Sequence, residues 1–336
     1  MALAHPPPSS PVPPPVPMNH RRSLPLRVGT RASPLALWQT RFFLRLLSTF
    51  CPVLRSMEVF EEHAIRTTGD AVQDRKLAEI GGKGLFAKEI HEALAEGRVD
   101  FAVHSLKDLE TDLPPGIVLA CTLAREDARD TLILPPGAPA PDPQAPFAGL
   151  AAGALVGGSS PRRQAQMLAV RPDLRFGLLR GNVQTRLDRL REGAFAATLL
   201  AMAGLKRLGL AEAATLVLDP EIMVPAAGQG IIGITVREDD SELRALLGGI
   251  EDPAAKAVAT AERALLGALD GTCHTPIGGH ARLRDDGSLV LTGLVARPDG
   301  SFVLRRTMDG PAAEAARIGA ELGASLRADS PPDLRA

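Results

Sequence analysis

From Leu24 onward, short apolar and β-branched runs alternate with longer stretches whose apolar positions recur at helical spacing. That alternation constrains the fold more than any other feature. Strands interleaved with helices bury both faces of a sheet, so the class is α/β and parallel sheets covered on both sides are expected. In the first unit, strands are expected at Leu24–Val28, Met57–Ile65, Phe101–Val103 and Ile117–Ala120, with helices over Pro34–Leu47 and Leu85–Ala95. A Pro/Gly/Ala-rich surface connection, Pro135–Gly153, leads to a second unit. Its strands are expected at Leu155–Val156, Arg175–Leu179 and Ala196–Leu200, with helices at Arg162–Val170, Val183–Arg191 and Met202–Leu208. The last quarter reads differently: a helix over Pro253–Ala268, strands at Pro276–Leu283, Leu289–Ala296 and Phe302–Met308, then a helix over Pro311–Leu326. This is a small α+β domain.

Composition removes several function classes. A formal net charge of −1 gives no electrostatic case for general nucleic-acid binding, and with no Tyr, one Trp and ten Phe, stacking platforms are scarce. The longest apolar candidates, Phe147–Gly158 and Ala194–Leu205, fall short of the roughly 18 residues that cross a bilayer. Cys51, Cys121 and Cys273 form no CxxC pair, which argues for a reducing compartment, and Cys273, His274 and His280 make a poor zinc site. Residues 6–17 hold eight Pro, so residues 1–23 are expected to be a disordered tail. A cytoplasmic location follows, with an organelle matrix as the alternative if that tail is a targeting segment.

Of 38 Lys and Arg only six are Lys, a bias that suits planar carboxylates and phosphates but also fits genomic base composition. Position is more informative. Gly29-Thr30-Arg31-Ala32-Ser33-Pro34 ends a strand and opens a helix, with Ser as N-cap and Pro at the first helical position. Gly157-Gly158-Ser159-Ser160-Pro161-Arg162-Arg163 repeats that design in the second unit. Free backbone N–H groups and flanking arginines make both turns anion-site candidates. Arg180-Gly181-Asn182 with Arg186, and Arg207 further on, fit either a ligand contact or a solvated face. His104-Ser105-Leu106-Lys107-Asp108 follows the strand Phe101–Val103, where ligands of open α/β sheets sit. There Asp108 is a candidate acid or base with Lys107 as its charged neighbour, or simply an N-capping loop residue. Gly81-Gly82-Lys83-Gly84 lacks the spacing of a nucleotide loop, and Gly228-Gln229-Gly230-Ile231-Ile232-Gly233 lacks the strand before and helix after that a dinucleotide fingerprint needs.

In this order these segments resemble the porphobilinogen deaminase (hydroxymethylbilane synthase) family. The similarity runs from Leu24 to Leu326 through Gly29–Gln39, Gly81–Phe86, His104–Asp108, Ser159–Gln164, Arg180–Asn182 with Thr185-Arg186, Ala203–Arg207, Pro225–Gly230, and Gly271–Cys273 with Pro276–Gly278. The resemblance implies two periplasmic-binding-protein-like α/β domains, residues 24–125 with 229–248 and residues 126–228, and a third domain, residues 249–336. It implies a dipyrromethane cofactor joined by a thioether to Cys273. The implied reaction condenses four porphobilinogen molecules head to tail, with loss of ammonia, then releases the linear tetrapyrrole by hydrolysis. Asp108 is implied as the catalytic carboxylate. Arg31, Ser33, Lys83, Lys107, Ser160, Arg162, Arg163, Arg180, Arg186 and Arg207 are implied to hold the acetate and propionate groups. No metal, membrane or nucleic-acid partner is implied. A monomer that hands its product to uroporphyrinogen III synthase is expected. Hinging is expected at the crossings Ala124–Ala128 and Ile222–Gly228.

The sequence departs from the family pattern at three places. Glu110 stands where Pro is frequent, so its loop is expected to take a different path. Gly158 replaces a hydroxyl residue, and Glu79 sits where the residue is sometimes basic. The residues alone also fit a two-lobed anion receptor without catalysis.

Overall fold

The computed structural model describes residues 24–55, 59–72, 84–269 and 276–334. The leader, Glu79, Lys83 and Cys273 therefore lie outside the described residues.

The first sheet has five strands in the order β2-β1-β3-β10-β4. They are β1 (Leu26–Arg31), β2 (Phe60–Ile65), β3 (Phe101–Ser105), β4 (Ile117–Thr122) and β10 (Ile232–Arg237). β1 pairs in parallel with β2 and β3, whereas β10 runs antiparallel to both β3 and β4. The second sheet repeats the plan in the order β7-β6-β8-β5-β9, with β5 (Asp130–Ile133), β6 (Leu155–Gly158), β7 (Arg175–Leu178), β8 (Ala197–Ala201) and β9 (Leu216–Val217). Here β6 is parallel to β7 and β8, and β5 is antiparallel to β8 and β9.

The expected all-parallel sheets are thus mixed. In each lobe the reversed strand, β5 or β10, lies next to a crossing between the lobes. A strand that enters from outside needs no crossover helix to pair antiparallel. The turn after β1 is also shorter than the sequence reading gave, since Gly29-Thr30-Arg31 belongs to the strand. Gly157-Gly158 likewise belongs to β6, where Gly157 O accepts from Thr198 Oγ1 at 2.8 Å.

Helix α1 (Pro34–Phe50) is capped as its sequence predicts: Ser33 Oγ accepts from Ala36 N at 3.3 Å. Its Phe43, Leu44 and Leu47 pack on Phe101, Val103, Ile232 and Ile234 of the first sheet. Burying each such side chain contributes about 1.5–3 kcal/mol. The short α2 (Thr68–Ala71) and α3 (Lys88–Ala95) follow. α3 starts later than the expected Leu85, because Leu85 O accepts from Gly69 N at 2.8 Å and the chain bends to reach it.

In the second lobe α4 (Pro161–Val170), α5 (Val183–Arg191) and α6 (Met202–Arg207) cover the sheet. Met167 lies in the core cluster with Val156 and Leu199, while Leu187, Leu190 and Leu205 share a second cluster with Leu200.

After α7 (Ser241–Gly248), which the periodicity reading missed, come α8 (Pro253–Ala268) and a three-stranded antiparallel sheet. Its strands are β11 (Ile277–Leu283), β12 (Ser288–Ala296) and β13 (Val303–Pro311), and α9 (Ala315–Asp329) packs with α8 against them. Glu262 of α8 is fully buried and joins both crossings to this domain. Its Oε1 accepts from Arg125 Nη1 and Ala281 N, each at 2.6 Å, and its Oε2 from Gly228 N at 2.6 Å. Among the described residues no helix is long and apolar enough to cross a membrane.

Candidate active site

The carboxyl ends of β1, β3, β6 and β8 converge on one cleft of about 1050 Å³. Arg31, Ser33, Lys107, Asp108, Ser160, Arg162, Arg163, Arg180, Arg186 and Arg207 all line it. The structure thus brings together every described residue of the sequence-read site. It does not give them equal freedom.

Asp108 sits in a single helical turn, Leu106–Asp108, immediately after β3. Its Oδ2 accepts from Arg31 Nη1 at 3.1 Å, and its Oδ1 takes no donor from the described residues. Arg31 is held from the other side by Asp70, whose Oδ2 and Oδ1 lie 3.1 and 2.5 Å from Nε and Nη2. Its guanidinium lies 4.2 Å from the centre of the Phe86 ring. Burial would raise the Asp70 carboxyl, but the Arg31 and Thr67 hydrogen bonds outweigh it and hold that carboxyl below its usual range. Arg31 is therefore fixed between two carboxylates and positions Asp108.

Lys107 keeps an exposed surface toward the cleft and donates to Gln229 Oε1 at 3.2 Å. The surrounding cleft walls, which displace water from the ammonium, together with Arg163 push it down to about 8. Gln229 in turn donates to Asp130 Oδ1 at 2.9 Å and Ala128 O at 2.6 Å. Asp130 has no exposure and binds both neighbouring arginines. Arg162 Nη1 reaches its Oδ2 at 2.7 Å, and Arg163 Nη2 its Oδ1 at 2.7 Å. Arg162 also donates to Val224 O at 2.6 Å and Arg163 to Leu199 O at 2.8 Å, so the pair is largely occupied by the protein.

The remaining cations are less committed. Arg186 Nε donates to Gly181 O at 2.9 Å and Arg207 Nη2 to Gly230 O at 2.7 Å, each the one hydrogen bond found for that side chain among the described residues. Burial pushes both guanidinia down to about 10, and for Arg186 the neighbouring Arg163 and Arg180 add to the effect. Crowded, underpaired cations are what an anionic ligand relieves. Arg180 Nη2 crosses the cleft to Gly69 O at 2.7 Å. Ser33 and Ser160 cap their helices, the latter accepting from Arg163 N at 3.4 Å.

His104 is no second proton carrier near neutrality: burial pushes it down to about 3, and Nε2 lies 2.9 Å from Thr235 Oγ1. Glu110, the departure after the Lys-Asp loop, turns inward, with Oε2 3.7 Å from Nδ1 of the buried His91.

Sequence reasoning missed Asp70, Phe86, Asp130 and Gln229. The glycine pattern around Gln229, set aside as a dinucleotide site, has another physical purpose. Gly228 and Gly230 take φ of +73° and +88°. A Cβ on Gly228 would lie 3.0 Å from Lys107 N, and one on Gly230 only 2.3 Å from Glu126 O. The turn thereby presses against the Lys107 loop and delivers Gln229. Gly230→Ala is expected to destabilise the protein by about 1–3 kcal/mol, checked by the shift of its urea midpoint.

Comparison with known proteins bears on the same segments. Residues 26–245 match the family model described as porphobilinogen deaminase, dipyromethane cofactor binding domain, and residues 256–328 match porphobilinogen deaminase, C-terminal domain. The porphobilinogen deaminase of Sorangium cellulosum is 47% identical over 308 residues, covering 90% of this chain and 98% of that protein. The chloroplastic porphobilinogen deaminase of Oryza sativa subsp. japonica is 46% identical, over 85% of this chain and 78% of that protein. Among solved structures, the VFT2 domain of Bordetella pertussis BvgS aligns with a TM-score of 0.40 at 13% identity, over 70% of this chain and 92% of that one.

Proposed function

The chain belongs to the porphobilinogen deaminase family, transferases of tetrapyrrole biosynthesis that carry a dipyrromethane cofactor, and on that premise we propose that Asp108 is its catalytic carboxylate and Cys273 its cofactor attachment point. The observation that carries this reading is the Asp108 carboxylate, pinned by Arg31 in a cleft lined by the incompletely paired cations Arg186 and Arg207.

The residues present fit the cofactor on charge. A dipyrrole with acetate and propionate arms is a polyanion, and it would offset the mutual repulsion of Arg186, Arg180 and Arg163. Arg186, Arg207, Lys107 and the two capping serines would hold it. When bound, it supplies the pyrrole end from which the chain is built. Arg31 keeps Asp108 oriented. Positive charge develops on the substrate ring as ammonia leaves porphobilinogen. Asp108 faces that charge, and later accepts the proton that the new bond displaces. Arg162 and Arg163, paired with Asp130, shape the wall more than they bind.

The partition into residues 24–125 with 229–248, 126–228 and 249–336 accords with the sheet pairing, since β10 joins the first sheet. A monomer, product hand-over to a cyclising synthase, and a cytoplasmic location complete the reading. The test is Cys273→Ser: its intact mass should equal the polypeptide alone, and Ehrlich's reagent should leave it colourless. An unchanged cofactor increment would place the attachment elsewhere, and a wild-type protein that stays colourless would favour the anion receptor.

The pH dependence of binding follows from Lys107. Its folded-state value of about 8 lies below the ordinary 10.5, so the fold disfavours the cation, and the ligand-free fold gains stability as pH rises between those values. A bound carboxylate favours the cation. KM for porphobilinogen is therefore expected to rise above pH of about 8 as Lys107 loses its proton. Lys107→Arg should flatten that rise; an unchanged profile would remove Lys107 from substrate binding.

A further inference from the structure

A second cavity, of about 680 Å³, lies between α7 and α8 over the end of β4, and none of its lining residues lines the catalytic cleft. Its charged lining is Arg244, Glu251, Lys256 and Arg263. Glu251 is already neutralised by Lys256 at 2.6 Å, so the wall keeps an excess of positive charge.

One lining cation is short of protein partners. Arg263 spends Nη2 on the carbonyls of Glu110 at 2.8 Å and Thr111 at 2.7 Å. Its Nε and Nη1 make no hydrogen bond to the described residues. Burial lowers this guanidinium's pKa, and the nearby Asp112 and Glu110 only partly offset that. These open donors face solvent in a cavity with an excess of positive charge, a setting that favours a ligand that accepts.

We propose that this cavity is a second anion site, which takes a small oxyanion carrying at least two negative charges and acts on the Asp108 segment through Arg263. The size suits a small molecule and not a protein segment. The donors are Arg263, Lys256, the Thr260 hydroxyl and Arg244, whose Nη1 already donates to Glu238 O at 2.8 Å, all suited to carboxylate or phosphate oxygens. Coupling has a short route. The carbonyls that Arg263 holds lie two and three residues beyond Asp108, and α8 ends at Ala268, just before the segment that contains Cys273. A ligand that draws on Arg263 therefore pulls on the loop that carries the carboxylate. Binding here is independent of the catalytic reading; the coupling rests on it.

The test is calorimetric titration of the holoenzyme with inorganic phosphate and, separately, with citrate. It is repeated on Arg244→Gln/Lys256→Gln, two exposed positions outside the cleft. The double variant is expected to bind about tenfold or more weakly, while Arg317→Gln, on the exposed face of α9, binds as wild type. Should the double variant melt early, Arg244→Gln alone should still lose about fivefold. Selenate soaked into crystals should place selenium within hydrogen-bond reach of Arg263. Preference for phosphate or for citrate assigns the oxyanion source. Isotherms that do not change in the variants, or no ordered selenium at Arg263, overturn the site. If the anion binds there but leaves wild-type kcat unmoved, the coupling is overturned while the catalytic reading stands.

Discussion

Replacing Asp108 with alanine is expected to leave the fold and the covalent cofactor in place while slowing chain elongation by about 10²–10⁴-fold. The structure separates these two outcomes. Arg31 keeps its paired contacts to Asp70 at 3.1 and 2.5 Å and its place over Phe86, so removing Asp108 strands no buried charge. What disappears is the one carboxylate that the Leu106–Asp108 turn presents to the cleft. The loss should fall on kcat, because the cleft cations Lys107, Arg186 and Arg207 remain. Intact-mass analysis after a single addition of porphobilinogen would count the rings added, and a thermal melt would check the fold. Near-normal elongation would remove Asp108 from the chemistry. Asp108→Asn should resemble alanine, since an amide keeps the shape but can neither hold negative charge nor accept the proton.

Much of this site was legible in the sequence wherever the signal was local. A Ser-Pro pair before an apolar helical stripe predicts a capped helix, and both Ser33 and Ser160 cap as expected. Asp108 was legible because a polar turn directly after a buried strand has few other places to go. The misreadings concern partners far apart in the chain. Arg162 and Arg163 read as free anion ligands, yet they turn onto Asp130, over thirty positions earlier, within a run of charges that looks like a solvated surface. Asp70 meets Arg31 across a similar separation. Gln229 was hidden inside a glycine pattern whose meaning depends on what its backbone touches. The mixed sheets were missed for the same reason: β5 and β10 have ordinary strand composition, and only the crossings between lobes decide their direction.

Asp130 is where that blindness has the largest consequence for stability. It has no exposure, and its carboxylate holds Arg162, Arg163 and Gln229 at 2.7, 2.7 and 2.9 Å. Burial alone would raise its carboxyl, but the two arginines outweigh burial and hold it well below the ordinary 3.8. Asp130→Ala leaves Arg162, itself only 6% exposed, without a counter-charge. Removing one partner of such a buried pair costs about 3–5 kcal/mol. Because the folded-state value is depressed, the stabilisation is fully present above the unfolded value of 3.8 and is lost as pH falls toward the folded one. Wild-type stability should therefore drop steeply below pH of about 4, and that acid limb should be shallower in Asp130→Ala. Urea melts from about pH 2 to about pH 7 would measure both the offset and the upper part of the slope. The same substitution frees Gln229 from its anchor, so Lys107 loses its fixed partner and KM should rise even in the fraction that folds. A variant as stable as wild type at neutral pH would mean that solvent, and not Asp130, neutralises the two arginines.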